Sequence, residues 1–452
     1  MFKIDLRGIR ISPSDVKNVH EKTMSQKRPK VLMLGWEFPP IINGGLGVAC
    51  HDLSQAMTSM ASITMVIPKT STGFQMDNMQ LIGLNMLDAA SRKNAFTDKA
   101  ATPGFERFTI DADLNPYSAN ISEEPFSMEK LRQRQKDIGA DTRFDLDTLY
   151  GGDVISKVVQ YAARVAELAK DMDFDIIHAH DWMTMLAGIF IKEASGKPLV
   201  IHIHSLEYDR SGIAAGWVYE LEKHGMEMAD LLMPVSHYTA DVIARYYGIS
   251  KKKMAVIHNG TSIVKPFKKS APYAEKTVLF VGRLTRQKGP THFLDIASAV
   301  LAQHKDVRFV MAGVGDYFSS IIEKSANDKL GNRFHMTGFL NTNRLRDLFA
   351  ISDVYCMPSL SEPFGLSAVE AAQFSIPCVI SKQSGVAEVL PGSLKFDFWD
   401  TRKAADYIIN LLRDPVFAQK VSADAVLNLN QISWPIAASK IIDAYRDFSL
   451  LN

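Results

Sequence analysis

From about Lys30 onward, short apolar runs alternate with segments of helical periodicity. Residues 30–35 (KVLMLG) read as a buried strand, followed by a Pro- and Gly-rich loop, a helix over 48–60 and a second strand at 63–67. Further compact apolar runs lie at 175–178, 199–203 and 231–235, each separated from the next by a helix-sized segment. Between 154 and 170 the apolar residues Ile155, Val158, Ala162, Val165 and Ala169 recur at helical spacing. Such strand–helix alternation predicts a parallel sheet covered by helices on both faces.

The pattern then restarts. Residues 266–276 (PFKKSAPYAEK) are polar, hold two prolines and lack a periodic face, which predicts a linker. Beyond it come apolar runs at 278–281, 307–312, 334–337, 354–357 and 378–380, with helical segments between them. The expectation is an α/β protein of two doubly wound, Rossmann-like domains, residues 1–262 and 263–429, with a cleft between them. Open parallel sheets bind ligands beyond the carboxyl ends of their strands, so the chemistry is expected on loops facing that cleft. Residues 84–150, with prolines at Pro103, Pro116 and Pro125 and weak periodicity, read as insertions and short elements of the first domain near an acceptor site.

Composition narrows the function classes. A chain of 452 residues favours two or three domains. With 46% hydrophobic and 22% charged residues it is neither disordered nor fibrous. The balance of 51 basic and 50 acidic residues, net +1, leaves no footprint for nucleic acid or an anionic membrane. Lys27 and Arg28 read as a solvated lead-in, and residues 128–136 (MEKLRQRQK) as the solvated face of a helix. Cys50, Cys356 and Cys378 are far apart and without metal-ligand spacing, which predicts reduced thiols. No apolar run has signal-peptide character at the N-terminus or membrane-span length elsewhere, so a cytoplasmic enzyme is expected.

Candidate chemistry lies in four places. The loop 36–47 (WEFPPIINGGLG) joins a strand to a helix, and Gly44 and Gly45 would let backbone approach a phosphate, or simply make a tight turn. Arg283 and Lys288, in VGRLTRQKG after the first strand of the second domain, could neutralise an anionic leaving group such as a nucleoside diphosphate, in place of a metal ion, or simply be solvent-exposed cations on a surface loop. No DxD pair stands in a metal-binding setting, since Asp111 and Asp113 fall in the irregular insertion. In PSLSEPFGLSAVEA, Glu362 stands in a loop stiffened by Pro363 and opened by Gly365, with Glu370 about one turn into the helix that follows. One carboxylate can face a sugar while the other reaches ribose hydroxyls, with helix-start amides between them for phosphate. His180, in IHAHDW, follows an apolar strand and can donate to a sugar hydroxyl. His178 shares its direction only if the strand continues, and the sequence shows no third residue for a metal site there.

These pieces occur in one order: the Gly-Gly loop, HAHDW, HNG at 258–260, GR-x4-KG, AGVGD at 312–316, Gly338-Phe339 and E-x7-E. The set resembles the retaining GT-B glycosyltransferases of family 4 and is similar to glycogen and starch synthases, over roughly residues 30–391. The resemblance implies a hexosyltransferase that needs no metal and no cofactor, with a nucleotide sugar such as ADP-glucose or UDP-glucose as donor and a glucan as acceptor. It implies that Arg283 and Lys288 hold the donor diphosphate, assisted by backbone near Gly44, Gly45, Phe364, Gly365 and Leu366. Glu370 would then bind the ribose, Glu362 the transferred sugar and His180 its 6-hydroxyl, with the base near Gly338 and Phe339. The C-terminal helices, 430–452, would cross back onto the first domain. Retention would follow from attack on the face the diphosphate leaves, with a diphosphate oxygen taking the acceptor's proton. The chain departs from bacterial glycogen and starch synthases at Ile42, where they carry Lys two residues before the glycine pair.

Other readings remain: a family-4 transferase for lipopolysaccharide, glycolipid or small-sugar acceptors; a nucleotide-sugar epimerase on the same fold, which E-x7-E and HAHDW count against; or a sugar-nucleotide sensor without turnover.

Overall fold

The computed structural model describes residues 28–41, 45–71, 78–86, 125–138, 154–262, 266–427, 429–448 and 450. The first sheet consists of β1 (Lys30–Leu34), β2 (Ser62–Ile67), β3 (Met79–Gly83), β4 (Ile176–His180), β5 (Leu199–Ile203) and β6 (Leu231–Pro234). The second consists of β7 (Lys276–Val281), β8 (Val307–Ala312), β9 (Phe334–Gly338), β10 (Val354–Met357), β11 (Cys378–Ser381) and β12 (Leu394–Phe396). Every pairing within both is parallel.

The spatial orders are β3-β2-β1-β4-β5-β6 and β12-β11-β10-β7-β8-β9, so each sheet reverses direction once. The reversals fall between β1 and β4 and between β7 and β10. At such points the connecting helices depart to opposite faces and leave a crevice at the strands' carboxyl ends. The central strands read as unbroken apolar runs because helices cover both faces, and all residues of β4, β5, β6, β10 and β11 are buried.

Two edge strands, β3 (MQLIG) and β12 (LKF), were not expected. Each has one buried face at most, and Gln80 or Lys395 interrupts its apolar run, so periodicity does not distinguish it from a loop. β4 runs on to His180, because its histidines are buried although their residue type suggests a loop. The first helix begins at Gly45 rather than 48, since its opening glycines mimic a turn. Within 84–150, helix Met128–Ile138 buries only Leu131, leaving its basic face solvated, with Arg132 pairing to Glu193 at 2.5 Å. Asp111 and Asp113 lie outside the described residues, as do Ile42 and Gly44.

Helix Trp434–Asp447 crosses back to the first sheet. Trp434, Ala437, Ala438, Ile441, Ile442 and Tyr445 join Met33, Cys50, Leu53 and Met57 in one apolar cluster. The approach is so close at Gly260 that a Cβ there would stand 2.2 Å from the Trp434 amide nitrogen, which explains the glycine of the HNG motif. No helix among the described residues is long and apolar enough to cross a membrane.

Ile441 is fully buried in this cluster. Ile441→Ala is therefore expected to cost about 2–5 kcal/mol of stability through lost burial and a residual cavity, read as a lower denaturant midpoint for the first domain.

Candidate active site

On the second domain, the site is built at the carboxyl ends of β7 and β10. β7 leads into Gly282 and Arg283, then into the tight turn Arg286–Lys288. The Lys288 ammonium pairs with the Glu362 carboxylate, and Ser359 Oγ donates to the same carboxylate oxygen at 3.4 Å. Both ends of the pair are largely shielded, the side chains being 22% and 6% exposed. Glu362 itself is clamped by backbone: its N–H donates to the Gln383 carbonyl and its own carbonyl accepts from Gly385, each at 2.9 Å.

Three residues later the chain turns sharply at Gly365, whose φ of 106° caps helix Leu366–Gln373. A side chain there is disfavoured twice, by the left-handed backbone and by Val386 and Met357 atoms 3.1–3.3 Å from the Cβ position. Leu366 thus starts a helix directly after the loop that carries Glu362. Glu370 follows one turn on, its carboxyl pushed up to about 7 by burial, with the Arg346 charge opposing the rise. Gly338 also adopts a positive φ, 69°, and Phe339 beside it is 63% exposed. Phe364 differs: its ring is buried in the second domain's core, so only its backbone is available to a ligand.

On the first domain, β4 ends at His180, which is fully buried. Because the strand continues, His178 and His180 share a face, and their rings stack at 4.8 Å. Asp181 follows with φ 58°, a strained conformation for a side-chain-bearing residue. Its carboxylate accepts from His204 N at 2.7 Å and Ser205 N at 3.3 Å, tying the end of β4 to the end of β5, and burial raises its pKa to about 7. Gly45 opens helix Gly45–Met57 nearby, and a Cβ there would meet nothing within 4 Å.

The two halves meet at Glu362. Its predecessor Ser361 donates to Asp209 of the first domain at 2.5 Å and bonds Tyr238 OH at 2.9 Å. Its successor Pro363 accepts from Ser236 Oγ at 2.6 Å. Beside them Glu388 accepts from the His237 and Tyr238 amides, at 3.0 and 2.7 Å, and pairs with His258 at 2.8 Å. Burial would raise the Glu388 pKa, but His258 and the two amides outweigh it and hold it below the ordinary value. Asp209 is positioned by a buried network in which Arg210 bonds Glu207, Glu222 and Ser205, and Glu222 accepts from Tyr247 OH at 2.5 Å. Burial moves the Asp209 pKa up to about 6, against the Ser361 hydrogen bond.

Of the residues singled out in the sequence, Lys288 and Glu362 are in direct contact where the two lobes meet, His180 stands at the carboxyl end of β4 in the first lobe, and Gly44 lies outside the described residues. Asp209, Ser361, Tyr238 and Glu388 were missed. The polar EYDR cluster directly after β5 was a usable signal for Asp209, whereas Glu388 sits in an unremarked GVAEVL stretch. Also missed were His202 and His204, which join His178 and His180 and supply the third metal-ligand type that the sequence near β4 lacks.

Comparison with known proteins decides the family. The model "Glycosyltransferase Family 4" matches residues 132–264, and "Glycosyl transferases group 1" matches residues 263–425. The chain is 24% identical to the glycogen synthase of Mycobacterium tuberculosis (strain H37Rv), over 92% of this chain and 94% of that protein. Among solved structures, sucrose-phosphate synthase from Thermosynechococcus elongatus superposes with a TM-score of 0.68 at 16% identity, covering 93% of this chain and 99% of that one. Anabaena HepE in complex with UDP and glucose gives a TM-score of 0.62 at 16% identity, over 93% and 100%.

The chain is a GT-B glycosyltransferase.

Its two sheets are the two Rossmann-like lobes of that fold, and its relatives include glycogen synthases. In this glycosyltransferase the junction of the two family models, near residue 263, falls between β6 and β7. Gly365→Ala is expected to destabilise the glycosyltransferase by about 1–2 kcal/mol, the cost of a left-handed conformation in a residue with a Cβ, seen as a lower thermal midpoint for the second domain.

Proposed function

We propose that this glycosyltransferase moves a hexose, with glucose first in preference, from a nucleotide sugar such as ADP-glucose or UDP-glucose to a glucan acceptor, with retention and without a metal ion. The observation that carries the proposal is the Lys288–Glu362 pair, bracketed on both sides by hydrogen bonds to the opposite lobe. A donor spanning the seam would exchange that pair for better partners. Its diphosphate takes Lys288, with Arg283 beside it, while the freed Glu362 carboxylate accepts from the sugar's hydroxyls. Leu366 and its helix-start amides add positive potential at the phosphates. Glu370 accepts from the ribose, His180 donates to the 6-hydroxyl, and Phe339, with Gly338, lies against the base.

In the transfer, the bond between the anomeric carbon and the phosphate oxygen breaks as the acceptor oxygen bonds to the same face. The acceptor's proton passes to the departing diphosphate, which balances the step without an enzymic base. The charge that builds on that leaving group is what Arg283 and Lys288 offset, the service a metal ion performs elsewhere. HepE solved with UDP-glucose and glycogen synthase relatives at full length support this choice of donor and acceptor.

A small sugar phosphate is the second reading for the acceptor. It is favoured by the alpha-maltose-1-phosphate synthase of Mycolicibacterium smegmatis, 27% identical over 61% of this chain and 79% of that protein.

Lys288→Ala and Glu362→Ala are each expected to lower kcat about 100- to 1000-fold while circular dichroism stays that of the folded parent, with a lower thermal midpoint where one charge of the pair is left without its partner. Transfer is followed as nucleotide release with acceptor present, after a thermal-shift screen of nucleotide sugars has found the donor that stabilises the chain. Turnover surviving both substitutions would remove the mechanism. Chelation with EDTA is expected to leave the rate undiminished, and strict dependence on Mg²⁺ or Mn²⁺ would contradict a metal-free transfer.

A further inference from the structure

The carboxyl ends of β4 and β5 bring four imidazoles onto one face of the first sheet. His178 and His180 alternate along β4, and His180 stands in register with His202 on β5, with His204 just beyond. The rings form a stack: His180–His202 at 5.4 Å, His202–His204 at 4.5 Å and His180–His204 at 5.2 Å between centroids. His178, His180 and His202 are at most 1% exposed, on strands whose other residues are apolar.

Their nitrogens are incompletely used. His180 Nε2, His202 Nε2 and His204 Nδ1 are buried without a hydrogen-bond partner. A buried polar atom left unpaired is costly and asks for an occupant such as water or an ion. Burial lowers the pKa of all four rings from the ordinary value, that of His178 and of His204 to about 3. Neutral imidazole is the form that ligates metals.

We propose that His178, His180 and His202 bind a divalent transition-metal ion of the zinc class, and that the ion acts as an inhibitor rather than a cofactor. One nitrogen from each of the three lies within 4.8 Å of the other two. His178 Nε2 and His202 Nδ1 are 3.3 Å apart across a hydrogen bond, whose proton would pass to the ring's other nitrogen or to solvent as the ion takes its place. Two nitrogens each about 2.0–2.1 Å from a tetrahedral ion are separated by about 3.3–3.4 Å. The remaining nitrogen of His178, Nδ1, bonds Tyr445 OH from the C-terminal helix, the kind of outer contact that fixes a ligating ring's tautomer and direction. An all-imidazole set suits Zn²⁺, Ni²⁺ or Cu²⁺ and not Mg²⁺ or Ca²⁺. Asp181 does not compete for the ion, because its carboxylate serves the His204 and Ser205 amides. His204, whose Nε2 is 3.0 Å from His180 Nδ1, is the nearest fourth ligand.

Inhibition rests on the reading of His180 as a sugar contact, since an imidazole held by a metal ion has turned its nitrogen away from the donor. The two ideas separate in one experiment. The full chain, stripped of metal, is titrated with Zn²⁺ by calorimetry. Binding of one ion per chain is expected, and Co²⁺ in its place should give the visible d–d bands of a tetrahedral nitrogen site. His202→Gln should weaken Zn²⁺ binding at least about 100-fold, and Tyr445→Phe about tenfold, each checked for an unchanged circular dichroism spectrum. Failure of the parent to bind Zn²⁺ stoichiometrically would overturn the proposal. So would undiminished affinity in both folded variants.

Transfer is then measured against Zn²⁺. Inhibition that competes with the donor in the parent, and is lost in His202→Gln, supports both readings. Stoichiometric binding with an unaltered rate would uphold the ion's coordination, but overturn its inhibitory role and remove His180 from the sugar's contacts. If Zn²⁺ does not bind while Lys288→Ala still abolishes transfer, the site falls and the transfer reading stands.

Discussion

A carboxylate and an ammonium group that would each be costly to bury alone are held together beside loops through which two separately built lobes meet. Glu362 is 6% exposed at its side chain and pairs with Lys288, 74 residues earlier in the chain. The residues on either side of it are committed to the opposite lobe. The position of Glu362 is therefore set jointly by both domains, and a change in how the lobes sit relative to one another is felt there first. A ligand that separates the pair must bring groups that satisfy both charges, which restricts the seam to molecules carrying anionic and hydroxyl functions close together.

Parallel topology explains why the pair forms where it does. Each sheet reverses between two central strands, so loops leave its carboxyl edge in opposite directions and open a crevice. β7 and β10 supply Lys288 and Glu362 from the two sides of one such point, and β4 delivers His180 at the other. The same geometry that buries the strands thus brings chemistry-bearing residues to a common level without a dedicated scaffold.

Much of this was readable in the order of residues. The central strands announced themselves as apolar runs because both of their faces are covered, and GR-x4-KG with E-x7-E marked the loops that follow β7 and β10. The edge strands β3 and β12 escaped because half-exposed strands carry Gln80 or Lys395 where periodicity expects an apolar residue. The seam residues escaped for a different reason. Ser361 meets Asp209 across 152 positions of sequence, and His202 meets His180 through strand register, so neither contact leaves a local spacing to detect. Glu388 likewise finds its partners on the other lobe, at His237, Tyr238 and His258, far from it in sequence.

The return of helix Trp434–Asp447 to the first sheet has a consequence for biosynthesis. The apolar face around Met33, Cys50 and Met57 is covered by a helix that is made only after the whole second lobe. The second lobe, whose strands and covering helices are contiguous from β7 to helix Pro415–Val426, can complete its core while the chain is still being extended. The order of completion is thereby inverted: the half translated first is finished second, and until that helix is made it presents an uncovered apolar surface that a chaperone can recognise.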